Sequence, residues 1–238
     1  MEHDHSPEAI SRRLAGSPRQ SYLRDWVYGG IDGAVTTFAV VAGVVGAGLS
    51  ARTVLILGAA NLLADGFSMA ASNYSGTKTE KDDKDRLRAV EERHIDLEPA
   101  GELEEIRQIY RAKGFHGSRL ETVVEVITAD RQRWVETMLR EEYGLPGTLR
   151  SPVKAAASTF LAFLICGFVP LLPFVFNLPL PVYLSSALTA VVFFAIGSVK
   201  SLWSLMPWWR SGLETLTIGI AAAALAFAAG MVVEHVTG

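Results

Sequence analysis

Side chains that can bind a cation recur every four residues within the otherwise apolar stretch VLILGAANLLADGFSMAASNY, at Asn61, Asp65, Met69 and Asn73. On a helix this spacing places them in one slowly winding stripe. A carboxylate at membrane depth costs several kcal/mol unless it faces protein or water. We therefore expect the stripe to line an interior and not to face lipid.

Another acidic residue, Asp32, lies in the apolar run that precedes this stretch. It either anchors a helix near the membrane interface or holds a cation in a cavity between helices. Asp65 and Met69 on the adjoining helix favour the cavity. A Met in a membrane helix usually serves as apolar filling, but the position of Met69 on the polar stripe favours a ligand.

The charged part of the chain contains three pairs of potential ligands, separated by three or four residues: Glu91 with His94, Glu102 with Glu105, and Met138 with Glu142. Each spacing puts the pair on one face of a helix, so that three helices could converge on one or more cations. Glu and His suit Fe²⁺, Mn²⁺ and Zn²⁺, whereas Met disfavours Mg²⁺ and Ca²⁺. Glu-rich amphipathic helices are also common as plain solvated surfaces, and spacing alone leaves both interpretations open.

The composition indicates an all-α membrane protein with a soluble insertion. Half of the 238 residues are hydrophobic, while 31 of the 47 charged residues lie between Lys78 and Arg150. The basic residues form no continuous patch interleaved with aromatics, so nucleic-acid binding has little support. The single cysteine, Cys166, lies in an apolar run and is expected to be a buried thiol.

Five apolar segments are long enough to cross about 30 Å of hydrocarbon as helices. They cover roughly residues 27–49, 54–74, 152–176, 183–202 and 213–233. Pro170 and Pro173 near the end of the third are expected to bend it, and Gly29, Gly33, Gly43 and Gly46 in the first permit close helix packing. Lys and Arg concentrate before the first segment, between the second and third, and before the fifth, which places these parts in the cytoplasm.

These patterns predict four parts: a cytoplasmic N-terminal segment (1–26), membrane helices one and two (27–77), a cytoplasmic helical domain (78–150), for which the resemblance given below implies metal binding, and membrane helices three to five (151–238). One continuous helix is expected from Val54 to Glu98, because no proline interrupts it before Pro99. Three shorter helices follow, at 102–113, 118–129 and 130–143. Ser118 and Glu121 have the spacing of a capping box at the start of the second of these.

The sequence resembles the vacuolar iron transporter family, and bacterial members in particular. The resemblance is carried by GGIDGAVTTFAVVAG in the first span, NLLADGFSMAASNYSG in the second, and EPAGELEEIRQIYRAKGF followed by WVETMLREEYGL in the soluble part. It extends over nearly the whole chain after Trp26. It implies five membrane helices, a cytoplasmic helical domain inserted between the second and third, and a homodimer with the pore at its interface. Family members look like proton-coupled exporters of Fe²⁺ and related divalent metals from the cytoplasm.

The resemblance also implies roles for particular residues. The family's pore aspartate and methionine match Asp32 and Met69, and the ligands of its soluble domain match Glu91, Glu102, Glu105, Met138 and Glu142. Two positions depart from the pattern: His94 stands where a glutamate is usual, and Leu139 where some members have a second methionine. Histidine can still bind a metal, in a pH-dependent way, whereas leucine cannot.

The leading hypothesis is that the soluble domain collects Fe²⁺ or Mn²⁺ and passes it to the pore, where Asp32 and Met69 bind it and Asp65, on the same stripe as Asn61, shapes the path. Zn²⁺ and Co²⁺ are further candidate ions, H⁺ is the coupling ion, and no prosthetic group is expected. The expected partners are divalent metal ions, the lipid bilayer and a second copy of the chain. The lack of an organelle-targeting leader favours a bacterial plasma membrane, with a vacuolar membrane as the second choice.

Two alternatives remain. One is a membrane-anchored di-iron ferroxidase, which is disfavoured because its Glu-x-x-His motif normally occurs in duplicate and here occurs once. The other is a metal-sensing protein without transport.

Overall fold

The computed structural model describes residues 4–16 and 20–237, and every regular element in these ranges is helical. The α-helices are α1 (Pro7–Ala15), α2 (Leu23–Gly46), α3 (Ala51–Leu97), α4 (Pro99–Ala112), α5 (Gly117–Thr128), α6 (Arg131–Glu141), α7 (Pro152–Phe168), α8 (Leu172–Val175), α9 (Pro181–Lys200) and α10 (Trp208–Thr237). Short 3₁₀ turns lie at Val169–Leu171 and Ser201–Trp203. The all-α fold class is thus confirmed.

The chain divides into two compact units. Unit 1 comprises Met1–Gln20 and Thr77–Arg150, and unit 2 comprises Ser21–Gly76 and Ser151–Gly238. Helix α3, with 47 residues, contributes to both and carries the polar stripe as well as Glu91 and His94. The continuous helix expected here is confirmed. It has no internal proline, and Pro99 occupies the first turn of α4, where its missing N–H is tolerated.

Among the residues that the structure describes, four helical segments are long and apolar enough to cross a membrane: Leu23–Gly46, Ala51–Leu97, Pro152–Val175 and Pro181–Trp203. The apolar part of each contains at most two charged residues, which supports an integral membrane protein. The expected fifth segment, at 213–233, lies within α10 and is not among these four. The number of five spans therefore stays a prediction.

In unit 2, helices α2 and α7 approach each other backbone to backbone. A Cβ atom at Gly29 would lie 2.2 Å from the Thr159 carbonyl oxygen, and one at Gly33 would lie 2.4 Å from that of Phe163. Only glycine fits at these two positions, which explains their place in the first span. By contrast, a Cβ atom at Gly43 or Gly46 would meet nothing within 4 Å among the described residues. The expectation of close packing is thus wrong for that second pair within this chain.

The third apolar segment breaks at its prolines, as expected. Helix α7 ends at Phe168, and a 3₁₀ turn containing Pro170 leads into α8, where Pro173 lies in the first turn. The Pro170 carbonyl accepts a hydrogen bond of 2.8 Å from the Ser185 hydroxyl. A side chain of α9 thus supplies a donor to the backbone at the bend.

Unit 1 is built around one apolar cluster formed by the end of α3 with α4, α5 and α6. Its buried members include Ile95, Ile106, Leu120, Trp134 and Met138. Such a core explains why the charged sequence folds at all, because each short helix is amphipathic and stable only when its apolar face is covered.

The capping box expected at Ser118 and Glu121 is wrong. Helix α5 begins one residue earlier, at Gly117, whose φ of +58° favours glycine. The Glu121 carboxylate instead accepts hydrogen bonds from the Arg107 guanidinium at 3.0 Å. A side-chain cap does occur on α6, where the Asp130 carboxylate accepts from the Arg133 N–H at 2.7 Å.

Candidate metal-binding sites

The polar residues of the apolar helices form two neighbouring layers between α2 and α3 in unit 2. In one layer, the Asn61 amide donates a hydrogen bond of 3.2 Å to the Thr36 hydroxyl. In the other, one helical turn away, the Asp65 carboxylate lies close enough to Asp32 for its charge to act on that group. The structure therefore places Asn61, Asp32 and Asp65 in adjacent turns of the two helices. It adds Thr36, which sequence reasoning missed although it lies four residues after Asp32.

The residues of the polar stripe differ in their surroundings, and Met69 and Asn73 do not share those of Asp65. Met69 is half-buried and packs against an apolar cluster that includes Leu62 and Phe163. Asn73, one turn further, donates hydrogen bonds of 2.9 Å to the Asp25 carboxylate and 2.7 Å to the Thr159 hydroxyl. Asn73 therefore links three helices through polar contacts, whereas the nearby charge that Asp65 acts on is another carboxylate, Asp32.

Two buried carboxyl groups form the centre of a second site, within unit 1. Glu91 on α3 is 1% exposed, and Glu102 on α4 is 5% exposed. The Oε1 atom of Glu91 accepts a hydrogen bond of 2.8 Å from the Tyr143 hydroxyl, and Oε1 of Glu102 lies 3.3 Å from His94 Nδ1. Within the described part of the chain, the Oε2 atom of each has no hydrogen-bond partner. Buried carboxylates with unpartnered oxygens are costly unless a proton or a cation accompanies them.

Three further predicted ligands surround this pair at the surface: His94, Glu105 and Glu142. The charges of Glu91, Glu105 and His94 all act on Glu102, and the same three act on Glu142. The structure thus brings five of the six predicted ligands into one electrostatic cluster. The sixth, Met138, is fully buried in the apolar core, one turn before Glu142, whose N–H donates to the Met138 carbonyl at 2.9 Å.

The donor atoms of this cluster are not yet arranged around a common point. Across residues 4–16 and 20–237, no three His, Cys, Asp or Glu side chains are placed to hold one metal ion. The side chains of Glu105 and Glu142 are exposed, and that of Glu142 also hydrogen-bonds to Tyr143. Glu91 is buried and accepts the Tyr143 hydroxyl. Metal binding here requires the surface carboxylates to close onto the buried pair.

Burial and mutual repulsion alter the protonation of the cluster. Desolvation, followed by the charges of Glu91 and Glu105, raises the pKa of Glu102 from 4.5 to about 7. Protonated Glu102 can also donate a hydrogen bond to Glu91, which acts in the same direction. The pKa of Glu142 is raised by the same causes. A proton and a divalent cation therefore compete for Glu102 near neutral pH.

The raised pKa of Glu102 predicts that the metal-free protein loses stability as pH rises. The folded chain binds the Glu102 proton more tightly than the unfolded chain does. The contribution of this proton to the free energy of unfolding is therefore fully present below about pH 4.5 and is lost as pH passes through about 7. A rise from 4.5 to about 7 corresponds to roughly 3 kcal/mol. Thermal unfolding of the full chain with a chelator should show a lower midpoint at pH 8 than at pH 5.5.

The Glu102→Gln variant is the control for this measurement, because an amide does not titrate. Its midpoint should change less between the two pH values than that of the parent chain. Equal changes in both would mean that other groups determine the pH dependence.

Tyr143 is a site residue that sequence reasoning missed. It follows Glu142 at the end of α6, and burial together with the adjacent Glu91 raises its pKa, so that it stays a hydrogen-bond donor. Its distance of 52 residues from Glu91 gives no periodic signal. Leu139, which stands where some relatives were expected to have a ligand, is 2% exposed and lies in the apolar core.

Comparison with known proteins identifies the family of the chain. Residues 23–231 match the model of the VIT family. The chain is 32% identical to vacuolar iron transporter 1 of Arabidopsis thaliana over 218 residues, which cover 90% of this chain and 86% of that protein. It is 30% identical to vacuolar iron transporter 1 of Oryza sativa over 236 residues, covering 98% of this chain and 91% of the relative. A vacuolar iron transporter of Toxoplasma gondii is 35% identical over 176 residues, which span 70% of this chain and 58% of the relative. On these matches, the chain belongs to the VIT family.

Proposed function

We propose that the chain is a secondary active transporter that exports Fe²⁺, and also Mn²⁺, from the cytoplasm in exchange for protons. The observation that carries the proposal is the pair of carboxylates, Asp32 and Asp65, which lie on two apolar helices and are close enough for the charge of Asp65 to act on Asp32. Ionisable residues within membrane helices are costly and generally mark ion pathways. The iron named in the relatives gives the chemical class of the ion.

The pore is proposed to lie at a dimer interface. Asp32, Asn61, Asp65 and Met69 are each only partly buried within one chain. Such a partly exposed carboxylate cannot face lipid without a large cost, so it must face water or a second protein surface. A second copy of the chain, related by a two-fold axis, would enclose the stripe and supply the same ligands from the opposite side.

Within this pore, the donor types suit a transition-metal ion. Carboxylate oxygens from Asp32 and Asp65 bind Fe²⁺ and Mn²⁺, and the Met69 thioether favours softer divalent ions over Mg²⁺ and Ca²⁺. Asn61 and Thr36 offer neutral oxygens one turn away. This arrangement also admits Zn²⁺ and Co²⁺.

Unit 1 is proposed to collect the ion. Glu91 and Glu102 provide the buried centre, while His94, Glu105 and Glu142 close around the ion from the surface, and Met138 supplies a sulphur ligand. The support is the coupled acidic cluster with two unpartnered buried oxygens. Ions held there would raise the local supply to the pore.

Proton coupling follows from competition at the pore carboxylates. If Asp32 and Asp65 bind either protons or a metal ion, the two ligands exclude each other. A proton gradient directed inward would then drive metal outward.

The orientation is proposed from charge. Arg12, Arg13 and Arg24 lie before or at the start of the first span, Lys200 is the last residue of α9, and Arg210 lies in the first turn of α10. The positive-inside tendency then places the N-terminus and unit 1 in the cytoplasm. A bacterial plasma membrane is the proposed location.

The test is Fe²⁺ uptake into liposomes that contain the purified full chain, with and without an imposed pH gradient. Accumulation that follows the size of the gradient and exceeds that of protein-free liposomes is expected. Uptake that ignores the gradient would refute proton coupling. Metal binding without any flux would refute transport and favour a metal-sensing protein.

A further inference from the structure

The two oxygen atoms of Glu91 are not equivalent. Oε1 accepts the 2.8 Å hydrogen bond from the Tyr143 hydroxyl, whereas Oε2 has no partner within the part of the chain that the structure describes. The residue is 1% exposed, so water does not compete for either atom. Oε1 is therefore already engaged, whereas Oε2 is left for a ligand once Glu102 has lost the proton that it can donate to Glu91.

Tyr143 is held in place from both sides. Its ring packs against the apolar cluster of unit 1. The segment that follows turns back onto α6, because Gly144 adopts a φ of +67° and the Leu145 N–H donates to the Leu139 carbonyl at 3.0 Å. The phenol therefore keeps its position when Glu91 binds an ion, and Oε1 stays engaged.

The number of carboxylate oxygens that reach an ion affects which ion is preferred. Ca²⁺ takes about six to eight oxygen ligands and commonly uses both oxygens of a carboxylate. Transition-metal ions such as Zn²⁺ bind with fewer ligands at about 2.0–2.2 Å and accept a single carboxylate oxygen. A group that hydrogen-bonds to one oxygen of a buried carboxylate thus weakens the binding of Ca²⁺ more than it weakens the binding of a transition-metal ion.

We propose that Tyr143 is a specificity-determining residue, which engages Glu91 Oε1 so that the carboxylate binds through Oε2 alone and the site discriminates against Ca²⁺. The inference rests on the proposed role of Glu91 as a metal ligand in unit 1. On this proposal, the site binds Ca²⁺ weakly because of the Tyr143 hydroxyl, which does not itself contact the metal ion. Tyr143 is in this sense a positioning residue.

The experiment compares Ca²⁺ and Co²⁺ affinities of the full chain in detergent, measured by calorimetry, for the parent chain and Tyr143→Phe. Loss of the hydroxyl frees Oε1 to bind Ca²⁺, so the ratio of the Ca²⁺ to the Co²⁺ dissociation constant should fall by about tenfold, which is the lower end of the change in metal affinity that loss of an outer-shell partner typically causes. The control is Tyr110→Phe. Tyr110 lies in the same unit with its ring edge-on to Phe115, and its variant should keep the parent ratio.

A Tyr143→Phe variant that binds both ions more weakly by the same factor would show a merely structural role and overturn the proposal. An unchanged ratio would do the same. A chain that keeps the ion preference but shows no liposomal flux would refute the proposed transport while leaving this inference intact.

A second measurement does not use the Tyr143→Phe variant, so a folding defect of that variant cannot affect it. Infrared spectra of the parent chain and of Glu91→Gln, both with Co²⁺, are subtracted to isolate the bands of Glu91. The antisymmetric and symmetric carboxylate stretching bands should be widely separated, as they are for a carboxylate that binds a metal ion through one oxygen. The narrow separation of a two-oxygen carboxylate would overturn the proposal.

Discussion

Replacing Asp32 with Asn should reduce gradient-driven Fe²⁺ flux in liposomes to the level of protein-free vesicles. The substitution keeps the size of the side chain but removes the charge that both the cation and the proton need. Asp65 would then be the remaining carboxylate of the pair. Because repulsion between the two acids is lost as well, the variant should fold and insert at least as well as the parent chain.

The matched control is Glu214→Gln. Glu214 is also an acidic residue of unit 2, but its side chain is half exposed and lies 3.3 Å from the Lys200 ammonium. Its variant should retain most of the flux, because loss of an exposed ion pair has a small effect. Undiminished flux in Asp32→Asn, with normal protein content in the vesicles, would refute the assignment of Asp32 to the pore.

Replacing both Glu102 and Glu105 with Ala should weaken divalent metal binding to unit 1 by at least the 10–100-fold that loss of an outer-shell partner typically costs. Glu102 contributes a buried oxygen without a partner, and Glu105 contributes a charge that acts on it. The measurement is calorimetric titration of the full chain in detergent with Co²⁺. It gives the dissociation constant of the unit 1 site together with that of any site in the pore. Flux should slow but persist, because the pore residues remain.

Glu125→Ala is the control for this variant. Glu125 is an exposed glutamate of α5 in the same unit, outside the group of charges that act on Glu102. Its loss should leave the metal affinity unchanged. If the double variant bound metal as tightly as Glu125→Ala does, Glu102 and Glu105 would belong to an ordinary solvated helix face.

Much of the fold is readable from the sequence because helices repeat every 3.6 residues. This period placed Asn61 and Asp65 on one face, and it placed Glu102 and Glu105 together on α4. The uninterrupted run up to Pro99 determined the length of α3, and the prolines at 170 and 173 determined the break after α7. Such features depend on neighbours within a few residues, so local chemistry is enough to predict them.

Contacts between distant residues were decided by the tertiary structure. Asn73 lies on the predicted stripe, yet its partners Asp25 and Thr159 are 48 and 86 residues away. Likewise, Glu121 pairs with Arg107 of α4 in place of capping its own helix. Periodicity tells which side chains share a face, but not which face of another helix meets them.

The buried pair of unit 1 illustrates the same division. From the sequence, Glu91 and Glu102 were equivalent to the surface glutamates around them, because burial depends on how the helices assemble. Only the folded unit distinguishes them, by excluding water from both and by placing Tyr143 on one oxygen of Glu91. The sequence by itself determined which types of ligand are present and on which helices they lie. Packing decided which of these carboxylates are buried, and a buried carboxylate that has lost its hydration is stabilised when it binds a cation.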